Sequence, residues 1–107
     1  MAEITRKEEQ ILLTVHCLDN NACLLTIREH IKKLTGKSYS VGTIYAPLNR
    51  LHINGYLESS LAKVSDSNKP VRYYKLTKKG YQALVLLRKQ TEKMWSAFVN
   101  PIYDSFD

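Results

Sequence analysis

Residues 40–57 read SVGTIYAPLNRLHINGYL, and the fold is decided by how this stretch is read. Ser40 stands at the head of a helix-compatible run and Asn54-Gly55 closes it, a start signal and a stop signal one short helix apart. Val41, Ile44, Tyr45, Leu48 and Leu51 recur at steps of three and four, the spacing of a single buried helix face. The other face carries Thr43, Ala46, Asn49, Arg50 and His52, with no carboxylate among them. One apolar side and one neutral-to-basic side suit a helix that rests on a core and lies in a groove lined by phosphates. Pro47 is the irregular residue. It has no amide to offer Thr43, which costs about 3 kcal/mol in an ordinary helix interior, and a kink is the expected response.

The surroundings are strongly basic. The chain has 107 residues, one domain's worth, and a net charge of +6. Residues 28–80 hold eleven bases against three acids, a net +8, so the flanks are slightly acidic and the centre carries the field. A concentrated positive field favours a polyanion, either nucleic acid or an anionic membrane surface, over a surface merely kept soluble by lysines. No apolar run approaches the length of a membrane span, and MAEITRKEEQ lacks a signal peptide's apolar core, so a soluble cytoplasmic protein is expected. Cys17 and Cys23 match no zinc or redox spacing and read as buried thiols; His16, His30 and His52 form no ligand motif. With no nucleophile–base motif, metal cluster or phosphate-cradling loop, neither catalysis nor a cofactor is expected.

The flanking segments supply the rest of the architecture. Residues 3–19 form a first helix, with Ile4, Ile11, Leu12, Val15 and Leu18 on one stripe and Leu13 and Cys17 widening it. Asp19-Asn20-Asn21 stops it, and Ala22–Leu25 is long enough for one short strand. Thr26 and Glu29 have the spacing of a capping box that starts a second helix, with Ile27, Ile31 and Leu34 inward and Gly36 ending it. Lys32, Lys33 and Lys37 lie at its basic end, where the helix dipole also favours cations. Leu57–Val64 and Val71–Leu76 lean to β structure around SDSNKP (65–70) and make a hairpin with Tyr74 and Leu76 on one face. Thr77 caps a last, long helix through about Val99, where Asn100-Pro101 breaks it and starts a further short turn. Leu84, Leu87, Thr91, Met94 and Phe98 step by three, four, three and four, a heptad seam with Val85 and Trp95 beside it.

The order is helix, short strand, helix, helix, hairpin, helix. The fold class is therefore mostly α with a small β-hairpin wing: a winged helix-turn-helix over residues 1–76, and a long C-terminal dimerisation helix and tail over 77–107, in one compact unit. At SVGTIYAPLNRLHINGYLESSL and KPVRYYKLTKKG the chain resembles the PadR-type winged-helix transcriptional regulators. The shared features are Gly-Thr-Ile-Tyr after a small residue, Leu-x-Arg-Leu, Gly-Tyr-Leu leading into the wing and Tyr-Tyr-x-Leu-Thr-x-x-Gly closing it. The likeness covers roughly residues 8–90. The family pattern has proline directly after the tyrosine, whereas here Ala46 intervenes before Pro47. The resemblance implies a homodimeric DNA-binding repressor of the short subclass with one C-terminal helix. It also implies, through a tryptophan on that helix in multidrug-responsive relatives, that Trp95 lines a pocket at the dimer centre.

In a winged helix-turn-helix the third helix enters the major groove and the wing reaches phosphates or the minor groove. The candidate DNA-binding residues are Lys37, Ser40, Thr43, Tyr45, Asn49, Arg50, Lys69 and Arg72. Asparagine pairs with adenine and arginine with guanine, while hydroxyls and lysines hold phosphates; Arg50 lies late in the helix, where phosphate is the expected partner. Tyr45 has two readings, core packing with its hydroxyl outward or a phosphate contact. Trp95 also has two, seam packing or a platform for a planar apolar effector. Leu84, Leu87, Thr91, Met94 and Phe98 are the candidate dimer residues. The expected partners are double-stranded DNA carrying a palindromic operator, a second copy of the chain and that small molecule, with no membrane. The competing function is a winged-helix protein-interaction module that does not read DNA.

Overall fold

The structure is a computed structural model that describes residues 3–63 and 69–106, with side chains described as far as Phe98. Helix α1 spans Arg6–Leu18, α2 Leu24–Thr35 and α3 Val41–Ile53; strands β1 (Leu57–Lys63) and β2 (Pro70–Leu76) form an antiparallel hairpin; α4 runs Lys78–Phe106. This is the winged helix-turn-helix with a long terminal helix that the sequence predicts. The turn of the hairpin, including most of SDSNKP, lies outside the described residues.

The core is one cluster. Ile11, Leu12 and Val15 of α1, Ile27 and Ile31 of α2, Ile44, Leu48 and Leu51 of α3, and Leu57 and Tyr74 of the hairpin are all buried together. Full burial of aliphatic side chains of this size stabilises a fold by about 1.5–3 kcal/mol each. Leu84 of α4 packs against the same cluster, so the last helix is seated on the winged domain before it departs from it. The 29 helical residues of α4 rise about 43 Å at 1.5 Å each. The molecule accordingly measures 61 × 30 × 21 Å.

Several local expectations change. Helix α1 begins at Arg6, because Thr5 caps it: the Glu8 amide donates to Thr5 Oγ1 at 3.1 Å and the Thr5 amide donates back to Glu8 Oε1 at 2.8 Å. The strand expected at Ala22–Leu25 shrinks to a single bridge between Cys23 and Tyr73, with the Tyr74 amide donating to the Ala22 carbonyl at 2.7 Å. Helix α2 then starts at Leu24, two residues before the expected cap. Thr26 lies inside it and reaches back, accepting from the Cys23 amide at 2.9 Å. The threonine is thus the third helical residue of the cap and not its first.

Leu13 and Leu34 are 48% and 70% exposed, and Cys17 is exposed while Cys23 is buried, because the core accepts only the centre of each apolar stripe. Helix α4 does not break at Asn100-Pro101 but continues to Phe106. Proline removes one amide bond, a local cost that a helix of 29 residues carries without ending there. The further turn expected there is absorbed into α4. Pro47 likewise sits within a continuous α3.

Gly36 ends α2 at φ 75°, a left-handed conformation open to glycine. Gly80 answers a different demand. A Cβ built there would lie 2.3 Å from the Tyr56 carbonyl oxygen and 2.9 Å from Leu76 Cδ1. Only a residue without a side chain lets the first turn of α4 approach the α3–β1 connection this closely. Thr77 caps α4, accepting from the Gly80 amide at 3.1 Å, and its hydroxyl donates to the Gly55 carbonyl at 2.7 Å.

Candidate nucleic-acid interface

Helix α3 buries one narrow line, Ile44, Leu48 and Leu51, at 0–1% exposure. Val41 and Tyr45, expected on that line, are 44% and 49% exposed. At 100° per residue they lie on its flank, and the core reaches only the three residues beneath the helix axis. The helix therefore presents more than half its circumference outward. Gly42, Ala46 and Ile53 point most directly away from the core, with Asn49 half-buried beside them. No acidic residue lies on the helix.

Its two flanks are held differently. On the α1 side, Arg50 Nε stands 3.6 Å from Glu8 Oε2. The carboxylate is 4% exposed and the guanidinium side chain 51%. Thr43, Ala46, Pro47 and Arg50 share a shallow groove there with Thr5, Lys7 and Glu8. Arg50 thus leans towards α1 and secures the helix from that side. On the hairpin side, His52 Nε2 lies 3.1 Å from Ser59 Oγ on β1, and Arg72 on β2 donates to the same hydroxyl at 2.8 Å. His52 also meets Tyr74 edge-on, ring centroids 6.0 Å apart. Burial raises the pKa of Tyr74 above its usual value of 10.0; the nearby Arg72 charge opposes that shift and Tyr45 adds to it.

The lead into α3 is tied down by two bases. Arg28 of α2 donates from Nε to the Tyr39 carbonyl, and the Lys7 ammonium lies 4.6 Å above the Tyr39 ring. At the helix start the Thr43 amide donates to Ser40 Oγ at 3.2 Å, and the two hydroxyls lie 2.7 Å apart. Ser40 is thus the cap the sequence predicts.

The wing is the antiparallel pair Leu57↔Leu76 to Lys63↔Pro70. Its inward face runs Leu57, Ser59, Leu61 on one strand and Leu76, Tyr74, Arg72 on the other, passing from buried at the base to exposed at Leu61. Lys69 is exposed beside the undescribed tip, and Lys37 is exposed in the α2–α3 turn. The structure therefore brings Tyr45, Asn49 and Arg72 to one side of α3. It places Thr43 and Arg50 on the other side, and Ser40 and Lys37 at its start. Sequence reasoning missed Glu8, His52 and Ser59, which hold the candidates in place. The position of Glu8 three residues after Thr5 was the one available signal.

On α4 the expected seam divides. Leu84 and Leu87 are half-buried on their own domain, whereas Thr91, Met94 and Phe98 are exposed. Val85, Leu86 and Trp95 are 40%, 57% and 56% exposed, and Trp95 meets Phe98 edge-on with centroids 5.5 Å apart. Among the described residues no helix is long and apolar enough to cross a membrane, and no group of side chains could hold a metal ion.

A one-sided helix, a basic hairpin beside it and a projecting apolar helix define a winged-helix regulator. Residues 16–85 match the model of the transcriptional regulator PadR-like family, and the chain belongs to that family. A PadR-like transcription factor from Bacteroides fragilis is 29% identical, with TM-score 0.73 over 89% of this chain and 87% of that one. A PadR-like regulator from Bacillus cereus is 26% identical, with TM-score 0.71 over 90% and 89%. A PadR family regulator from Clostridium difficile shares the fold at 22% identity, TM-score 0.65, over 89% and 97%. No curated protein matches the sequence. Membership carries DNA-binding transcriptional regulation as the general role.

Proposed function

We propose that the chain is a homodimeric transcriptional repressor whose α3 enters the major groove of a palindromic operator. The exposed, acid-free outer face of α3, flanked by Arg72 on the wing, is the observation that supports this reading most directly. Asn49 and Tyr45 face the bases and the adjoining backbone; Lys37, Ser40 and Thr43 meet phosphates at the helix start; Lys69 and Arg72 follow the backbone from the wing. Arg50 joins the phosphates with the part of its guanidinium that Glu8 leaves exposed. The dimer forms through the apolar surface of α4 around Leu84, Leu87, Thr91, Met94 and Phe98. The Trp95–Phe98 pair forms the platform for a planar effector that releases DNA.

A salt titration tests the DNA reading. Each phosphate contact contributes about 0.9 to the slope of log K against log salt. Arg72→Ala should flatten that slope by about one unit and weaken binding to every duplex sequence alike. A protein-interaction module would bind no duplex at low salt, and an unchanged slope with unchanged affinity would remove Arg72 from the interface.

A further inference from the structure

We propose that Ser59 is a positioning residue that fixes the wing to the recognition helix, so that Arg72 is presented to DNA at one set angle. This rests on the DNA-binding reading above.

Three residues on three elements form one chain. Arg72 donates to Ser59 Oγ at 2.8 Å, and Ser59 Oγ lies 3.1 Å from His52 Nε2. An arginine guanidinium keeps its protons, so Ser59 must accept from Arg72. Ser59 Oγ thus joins the Arg72 guanidinium and His52 Nε2 through one atom, and the imidazole tautomer sets which partner donates in the second bond. Each link joins a different element: β2, β1 and the last turn of α3.

The position of this chain explains its purpose. Below Ser59, Leu57 is buried at the base of the hairpin, Tyr74 is buried on the same rung, and above it Leu61 is 59% exposed. Ser59 is paired in register with Tyr74, and Arg72 is its diagonal neighbour on the same face. Apolar packing thus holds the wing only as far as the Ser59–Tyr74 rung. At that rung the Ser59 hydroxyl, beside the edge-on His52–Tyr74 ring contact, ties hairpin to α3, just where the wing begins to project. The Arg72 side chain is exposed, and the bond to Ser59 uses one of its five N–H donors. The guanidinium is thus anchored at one donor while its side chain stays exposed. The charged group joined to the imidazole through Ser59 is Arg72 from β2, and the neutral Tyr74 phenol from β2 meets the ring edge-on.

The test uses a fluorescein-labelled, mixed-sequence duplex and four variants of the full chain. Removing one whole phosphate contact near 0.1 M salt costs about eightfold in affinity. Ser59→Ala should therefore weaken binding by about threefold to eightfold. Ser59→Thr, which keeps the hydroxyl, should restore it. Ser59→Ala combined with Arg72→Ala should bind no more weakly than Arg72→Ala alone, because both changes act through one guanidinium. Losses that multiply, or a Ser59→Ala variant that binds like the parent, overturn the proposal.

If the parent chain binds no duplex at low salt, the DNA reading fails separately. The link itself is then decided by the ring ¹⁵N shifts of His52 at mildly alkaline pH. A hydrogen-bond shift at Nε2 that persists in Ser59→Thr and is lost in Ser59→Ala supports it. A His52 spectrum indifferent to both variants overturns it.

Discussion

Replacing Gly80 by alanine tests whether α4 is seated on the winged domain as described. The added Cβ would stand 2.3 Å from the Tyr56 carbonyl oxygen and 2.9 Å from Leu76 Cδ1. Backbone cannot swing aside as a lysine tip can, so either α4 or the α3–β1 connection must move. Overpacking of this kind costs about 1–3 kcal/mol. The movement also pulls on the Thr77 cap, which accepts from the Gly80 amide and donates to Gly55; loss of a cap costs about 1 kcal/mol. Against this, alanine gains up to about 1 kcal/mol of helix propensity over glycine. The net expectation is a loss of about 1–3 kcal/mol, measured by urea denaturation at fixed protein concentration. Gly42→Ala is the control: it too lies in the first turn of a helix, but nothing stands within 4 Å of its Cβ position. That variant should be neutral or more stable by some tenths of a kcal/mol. If Gly80→Ala were as stable as Gly42→Ala, the close approach of α4 to Tyr56 would be wrong.

Other outcomes follow from the same geometry. Met94→Asp, at a seam position of α4 that is 74% exposed and clear of the core, should shift sedimentation from dimer to monomer while leaving the circular dichroism helical; an unmoved sedimentation coefficient places the interface elsewhere. Planar apolar compounds should quench Trp95 emission, and a panel that leaves the emission unchanged while the dimer persists removes the effector platform. Tyr74 should ionise above the usual tyrosine value of 10.0 in a spectrophotometric titration compared with Tyr74→Phe, since burial raises its pKa. Its neutral form is favoured in the fold, so its contribution to stability is complete below pH 10 and declines as pH rises through the folded value. Stability that rises across that range contradicts the burial of its hydroxyl.

Much of this protein could be read without its coordinates, because the deciding signals are local. Ser40, Gly36, Asn54-Gly55 and Thr77 act through bonds spanning only a few residues, and each ends or begins an element where the sequence predicts. The apolar spacing of Ile44, Leu48 and Leu51 needs nothing more than the helical period, and the basic centre is plain from composition. Local reasoning failed where two equivalent local options existed. Thr26 has the chemistry to be the first or third residue of a cap, and the pairing of Cys23 with Tyr73 on a distant strand decided between them. Tyr45 and Val41 sit at core-compatible positions, yet the core ends beneath Ile44 and Leu48. Asn100-Pro101 has the composition of a break, and α4 passes through it.

The amino-acid sequence by itself determined the elements, their order, the family likeness and the sign of the partner's charge. Tertiary structure alone decided which polar groups work together. Glu8 faces Arg50 across two helices, Gly80 meets a carbonyl two elements away, and Arg72 reaches His52 through Ser59. The physical reason is reach. A cap or an apolar stripe is complete within one or two turns, whereas a bond between residues far apart in the chain exists only after the core has brought their elements together.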